Sequence, residues 1–257
     1  MNPLQQLIAF VTIVTKEITR FLRIWQQTLV PPAISTLLYF VIFGSLIGKR
    51  IGQMDGFDYM DFLVPGLILM SVINASYQNV VGSFFGAKGG KSIEELLVSP
   101  TPIVIILLAY ITGGVARGAL VGLIVTGVSL FFSDLQIHSL AVLFSIVMLT
   151  AILFSLCGLM NAIFAKTFDD VSIIPTFVLL PLTYLGGVFY SIHLLPDFWQ
   201  QVSMANPILY MVNAFRFGFL GISDVSLFVS YGMILFFITC LFIASLYLLA
   251  RSRGLRA

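Results

Sequence analysis

Charge is what this chain has least of. Of its 257 residues only 9% are Asp, Glu, Lys or Arg, while 59% are hydrophobic. A soluble domain carries roughly 25% charged residues and about 45–50% apolar ones. A chain of this size could not cover a water-facing surface with so few polar groups, so the deficit excludes a soluble globule and marks an integral membrane protein. The net charge of +2 is too small for a nucleic-acid footprint. Cysteine is scarce as well: Cys157 and Cys240 both lie in long apolar runs and read as small buried hydrophobes, not as a disulfide or metal site. His138 and His193 stand alone without ligand spacing, so no metal is assigned. The apolar runs also lack paired Asp, His-Glu-x-x-His or Ser-Lys sets, which excludes the familiar intramembrane enzymes. Embedded carboxylates of a proton-coupled carrier are missing, as is an internal repeat of the kind that builds secondary transporters. Such a chain can move something but has no evident energy source, and no catalytic residue is assigned.

A spanning helix needs about 20 mostly apolar residues. The segments 29–48, 59–83, 103–132, 139–164, 171–190 and 227–250 qualify. An even number of crossings puts both termini on one side. With the N-terminus cytoplasmic, that side carries Lys16, Arg20, Arg23, Lys88, Lys91, Lys166, Arg251, Arg253 and Arg256, whereas the other holds Lys49, Arg50 and Arg216. The positive-inside rule therefore places both ends in the cytoplasm. Asp55, Asp58, Asp61, Asp134, Asp197 and Asp224 all fall outside. Residues 1–26 do not read as a signal peptide, because their positive charges follow the apolar stretch instead of preceding it. Leu4, Leu7, Ile8, Val11, Val14, Ile18, Phe21 and Trp25 recur at helical spacing with Lys16, Arg20 and Arg23 off the stripe, the pattern of an amphipathic helix lying on the membrane surface. The same segment also fits a plain topogenic leader.

Three stretches depart from simple spans. Residues 191–224 are too apolar for a solvated loop, yet Pro196 and Asn206-Pro207 interrupt them. Two short helices, about 197–204 and 208–220, would dip into the outer leaflet and return, which requires protein or a watery cavity around them. An ordinary surface loop is the alternative. Arg117 sits near the middle of the third span and is a translocation-path candidate, since an intramembrane Arg is a functional-site hypothesis by default. Equally, that helix could begin inside the cytoplasm and let Arg117 reach an interface. Gly114, Gly118 and Gly122 form a small-residue stripe that lets helix backbones approach, within one chain or between two.

The stretch "FFGAKGGKSIEELLVSP", 84–100, imitates a phosphate-binding loop. The P-loop needs a glycine, four residues, then Gly-Lys-Ser/Thr; Phe85 occupies that glycine's position, and Gly86 is one residue too late. The loop would also follow a transmembrane helix instead of a strand, so an ATPase is excluded. What remains is a short helix, Ser92 to Val98, with Ser92 as N-cap and Glu95 as its capping-box partner. Glu94 and Glu95 favour its positive end. Phe84, Phe85, Lys88 and Lys91 give it a flexible, basic approach, and Leu96 and Leu97 lie beside them, a surface suited to docking on a cytoplasmic protein; a solvated connector is the alternative.

"IEELLVSP" in the first cytoplasmic loop, "FAKTFDDVSIIPTFVLLPLTYLGGVFYSIHLLP" around the fifth span and "NPILYMVNAFRFGFLG" after it together resemble the ATP-binding-cassette type-2 permease family, over essentially the whole chain. The resemblance implies a bacterial inner-membrane permease of the exporter group: an all-α membrane protein of one domain, 1–257, with six transmembrane helices, an N-terminal interfacial helix, a cytoplasmic coupling helix at Ser92–Val98 and a re-entrant helical hairpin before the last span. It implies a second copy of the chain, a separate ATPase subunit that binds ATP and Mg²⁺, and contact with membrane lipid; no cofactor is expected on this chain. The family motif maps onto Gly186, Gly187, Pro196, Asn206, Pro207, Tyr210 and Arg216. The exported substrate does not follow from the resemblance. From the residues alone, a self-contained carrier or channel and a non-transporting membrane subunit remain as other classes.

Overall fold

The computed structural model describes residues 2–133 and 136–254; Asp134 and Arg256, used above in placing charges, lie outside them. Helix α1 (Pro3–Arg23) opens on a capping box between Asn2 and Gln5, with Pro3 in the first turn, where a missing N–H goes unneeded. It bends through α2 (Trp25–Thr28) into α3 (Val30–Tyr39), whose Pro31 and Pro32 likewise sit in the first turn. A π-helical stretch, Phe40–Gly48, and the short α4 (Lys49–Ile51) follow. The strands β1 (Gln53–Met54) and β2 (Phe57–Asp58) pair antiparallel. Asp55 and Gly56 between them both take positive φ, which is what a two-residue hairpin turn demands.

The remaining elements are α5 (Tyr59–Gly89), α6 (Ser92–Val98), α7 (Ile103–Ser129), α8 (Leu140–Phe164), α9 (Phe168–Ile174), α10 (Leu180–Tyr184), α11 (Asp197–Met204), α12 (Pro207–Leu220) and α13 (Leu227–Gly254). Among the described residues, five helical segments are long and apolar enough to cross a membrane: Trp25–Gly44, α5, α7, α8 and Leu227–Arg251, with α12 a shorter apolar helix. They fall on the spans expected at 29–48, 59–83, 103–132, 139–164 and 227–250. The span expected at 171–190 takes a different form. It is helical from Phe168 to Tyr184, with a π-helical turn at Pro175–Leu179 between α9 and α10. Pro175 and Pro181 each remove an N–H donor from the ladder, and the chain turns away after Tyr184, short of about 20 residues.

α5 is the central helix, packed mainly between α7 and α8. Small residues set those distances. A Cβ on Gly158 of α8 would lie 2.5 Å from the Tyr77 carbonyl oxygen, and one on Gly122 of α7 would lie 2.9 Å from Val72 Cγ2. Gly114 and Gly118 meet Ser155 of α8 and Ser76 of α5 in the same way. The glycine stripe is thus a seam within one chain. It faces the central helix.

Candidate functional site

At the α6 end, α5 does not stop at Ser83. It runs on through Phe84, Phe85 and Lys88 to Gly89, so the flexible approach expected there is helix instead. The cause is burial. Phe84 stands edge-on to Tyr110 at 5.3 Å and Phe85 edge-on to Phe168 at 5.0 Å, and packing overrides the helix cost of about 1 kcal/mol per glycine at Gly82, Gly86 and Gly89. Both rings are core, not docking surface. Lys88 Nζ donates to the carbonyls of Ile163 at 2.9 Å and Ala165 at 2.8 Å, so it caps the end of α8, where a cation is favoured.

The capping box expected at Ser92 is not formed. Lys91, in the left-handed region at φ 59°, occupies the N-cap position, and Ser92 is the first helical residue, its hydroxyl donating to the Ala87 carbonyl at 3.3 Å. The Gly90-Lys91-Ser92 turn thus joins two helices and has no strand before it. Ile93 and Leu97 anchor the underside of α6 and Leu96 is half-buried, while Glu94 and Glu95 are exposed. Val98 is 74% exposed.

Arg117 is buried on α7, only 7% exposed. Its Nη2 donates to the Thr28 carbonyl at 3.2 Å, and Thr28 in turn donates its hydroxyl to the Phe21 carbonyl at 2.8 Å. Thr28 lies near the beginning of the Trp25–Gly44 segment, so the Arg117 side chain, which leaves α7 near its middle, reaches the bend after α1. Beside it is a cavity of about 270 Å³ between the first long segment and α5, lined by Gln27, Ser35, Tyr39, Ser71, Asn74 and Gln78 among others.

At the opposite end the family-motif residues converge. Gly187 takes φ +72°, a conformation that favours glycine, and its carbonyl accepts a 2.7 Å bond from Arg216 Nη2. The Arg216 guanidinium also lies 3.7 Å above the Phe62 ring. Gly186 abuts Ile208, where a Cβ would come within 2.7 Å of Cγ2. Asn206 donates to the Leu182 carbonyl at 2.6 Å and accepts from the Ile208 N–H at 3.0 Å, capping α12 ahead of Pro207. The Tyr210 hydroxyl donates to the Met204 carbonyl at 2.6 Å, tying α12 back to α11, which Pro196 opens. These bonds clamp the turn after α10 onto the α11–α12 pair. Their chemistry is structural, with no nucleophile or base among them.

Two clusters escape the sequence reading. Glu17 on α1 is fully buried, accepting from Ser83 Oγ at 2.6 Å, with Arg20 Nη2 3.4 Å away. Arg20 also donates to the Asn79 carbonyl at 2.9 Å and to Asn79 Oδ1 at 2.8 Å. Arg20 counts in the sequence as a topogenic charge and as part of the polar side of the amphipathic helix, and Glu17 is not used; the signal is their spacing of three on one helix face. The second cluster is the capping box of α9, where Thr167 and Asp170 exchange bonds. The N–H groups of Lys166 and Thr167 hold the Asp170 carboxyl below its ordinary 3.8. Its signal, Thr-x-x-Asp before an apolar run, is explicit in the sequence.

The family model described as ABC-2 type transporter matches residues 8–220. The chain is 58% identical over 250 residues to the inner membrane transport permease YadH of Escherichia coli K12, covering 97% of this chain and 98% of that one. It is 24% identical to nodulation protein J of Rhizobium leguminosarum bv. viciae over 219 residues, covering 84% and 83% of the two chains. A family match over most of the length, and a relative of this identity across nearly all of it, leave one assignment: the chain belongs to the ABC-2 type transporter family, as a membrane permease whose ATP is bound by a partner ATPase.

Proposed function

We propose that the chain is the membrane half of an ATP-driven exporter in a bacterial inner membrane, working as a dimer with both termini cytoplasmic. In this reading the interrupted α9–α10 run makes the sixth crossing, α1 lies on the cytoplasmic surface, and α11–α12 form a re-entrant hairpin that closes the outer side. Arg117 borders the translocation path. The proposal rests above all on α6. It is a short helix held by Ile93 and Leu97 at the tip of the long central helix, with Glu94, Glu95 and Val98 turned outward. A separate ATPase pressing on α6 would act through α5 on the helices packed around it. Such a ligand-biased switch needs a few kcal/mol of differential binding, and nucleotide on the partner would supply it.

The test is copurification. Glu94→Lys combined with Glu95→Lys reverses the exposed charge of α6 without touching its buried face. The double variant should insert normally but lose its ATPase partner in mild detergent, and vesicle transport should fall with it. Undiminished copurification and transport would remove α6 as the docking helix.

A further inference from the structure

Two arginines are buried among the described residues, and their surroundings differ. Arg216 has a carbonyl, an aromatic face and the carboxylates of Asp224 and Asp55 in its field. Arg117 has one carbonyl, an Nε without a hydrogen-bond partner, and among the described residues no ion-pair partner; the charge acting on it is a second cation, Arg20, which is itself paired with the buried Glu17. A buried charge without a counter-charge is expensive. Such a charge is retained where something else neutralises it.

The cavity beside Arg117 suggests the shape of that counter-ion. Near Arg117 its walls are polar, with Gln27, Asn74 and Gln78. The helix α3 and the facing part of α5 then carry it away from this end, toward Tyr39 and Leu67. The two helices run in opposite directions, so Gln27 pairs with Gln78 at one end and Tyr39 with Leu67 at the other. The site therefore offers a cation and amide groups at one end, the mutually bonded hydroxyls of Thr36 and Ser71 further along, and Tyr39, Leu67 and Met70 toward the other. Its amide end lies level with the bend between α1 and the first long segment, the headgroup depth if α1 rests on the membrane surface.

We propose that this cavity binds an anionic amphiphile, with a phosphate or carboxylate head on Arg117 and an apolar tail toward Tyr39 and Leu67. A planar guanidinium suits either head, through paired N–H donors. The inference deepens the transport reading by naming a substrate class and depends on it only for the purpose of binding, since occupancy needs no ATPase.

The experiment titrates the detergent-solubilised full chain, by native mass spectrometry, with dioleoyl phosphatidic acid, dioleoylglycerol and inorganic phosphate. Phosphatidic acid should bind at least about tenfold more tightly than dioleoylglycerol, as expected for a charge-assisted bond, and inorganic phosphate at the same concentration should not displace it. Arg117→Gln should lose that preference and Arg117→Lys should retain part of it. If Arg117→Gln does not fold, Gln78→Leu serves at the same end and should weaken phosphatidic acid alone. Equal binding of the neutral lipid, displacement by free phosphate, or full binding by folded Arg117→Gln would overturn the proposal. With the ATPase added in vesicles, ATP-driven movement of the phosphatidic acid across the bilayer identifies cargo, and its retention identifies a resident membrane lipid; either keeps the site. A chain that binds no anionic lipid yet still retains its ATPase loses this inference and keeps its place as a permease.

Discussion

Lys88 and Asp170 work on the same short connection from opposite sides. Lys88 donates to the carbonyls that end α8, and Asp170 accepts from the N–H groups of Lys166 and Thr167 that precede α9. Each satisfies groups that a helix end leaves unpaired, and each carries the charge that its helix end favours. Between them they fix the direction in which α9 leaves α8. Because the folded carboxyl of Asp170 is held below its ordinary 3.8, its contribution is fully present above that value and is lost as pH falls through the lower folded value. Asp170→Ala should therefore raise amide exchange severalfold across Phe168–Ile174 at neutral pH. Expressed as a ratio to wild type at each pH, the excess should shrink toward one below 3.8. A ratio that does not change with pH would mean that the carboxylate charge does not hold this turn.

Helix spacing around α5 depends on the absence of side chains at particular positions. Gly158→Ala would press a methyl group against the Tyr77 carbonyl, a backbone atom that can yield only if α5 and α8 separate. Overpacking of this kind costs about 1–3 kcal/mol. Gly82→Ala on α5 meets nothing within 4 Å and should be neutral or stabilising by roughly 0.5–1 kcal/mol, the ordinary Gly-to-Ala gain in a helix. Thermal melting of both variants in one detergent should lower the midpoint of Gly158→Ala and leave that of Gly82→Ala unchanged or raised; an unshifted Gly158→Ala would place the α5–α8 contact elsewhere. The long helices were legible because a run of apolar residues is a local property, and so was the break between α11 and α12, which Asn206-Pro207 imposes. The overrun of α5 past Ser83 was not, because it depends on Phe84 and Phe85 meeting Tyr110 and Phe168, partners remote in sequence. The cap of α6 was misread for a related reason. Ser92 is a good cap by type, but the turn between two docked helices hands that position to Lys91. Glu17 was overlooked because counting charges by membrane face treats a buried carboxylate as one more surface group.

For the molecule as a whole, the number of crossings decides which side each connection faces. Among the described residues five segments qualify by length and composition, and an odd count would put the end of α13 and α1 on opposite sides. Positive-inside reasoning puts Lys16, Arg20 and Arg23 on the side of Arg251, and only a further crossing by α9–α10 reconciles the two. A π-turn containing Pro175 can complete such a crossing if neighbouring groups satisfy the freed carbonyls. Cysteine labelling separates the counts. In a background with Cys157 and Cys240 replaced by serine, Glu94→Cys, Lys166→Cys and Gln201→Cys each place a thiol at an exposed position. A membrane-impermeant maleimide added to intact cells, with the outer membrane opened, should label Gln201→Cys and leave Glu94→Cys and Lys166→Cys unlabelled until the inner membrane is broken. Labelling of Gln201→Cys only after breakage, together with Lys166→Cys, would confine α9–α10 and the α11–α12 pair to the cytoplasmic side. That outcome would contradict the packing, which sets the Gly187–Arg216 clamp beside Tyr59 and Phe62, at the end of α5 away from α6.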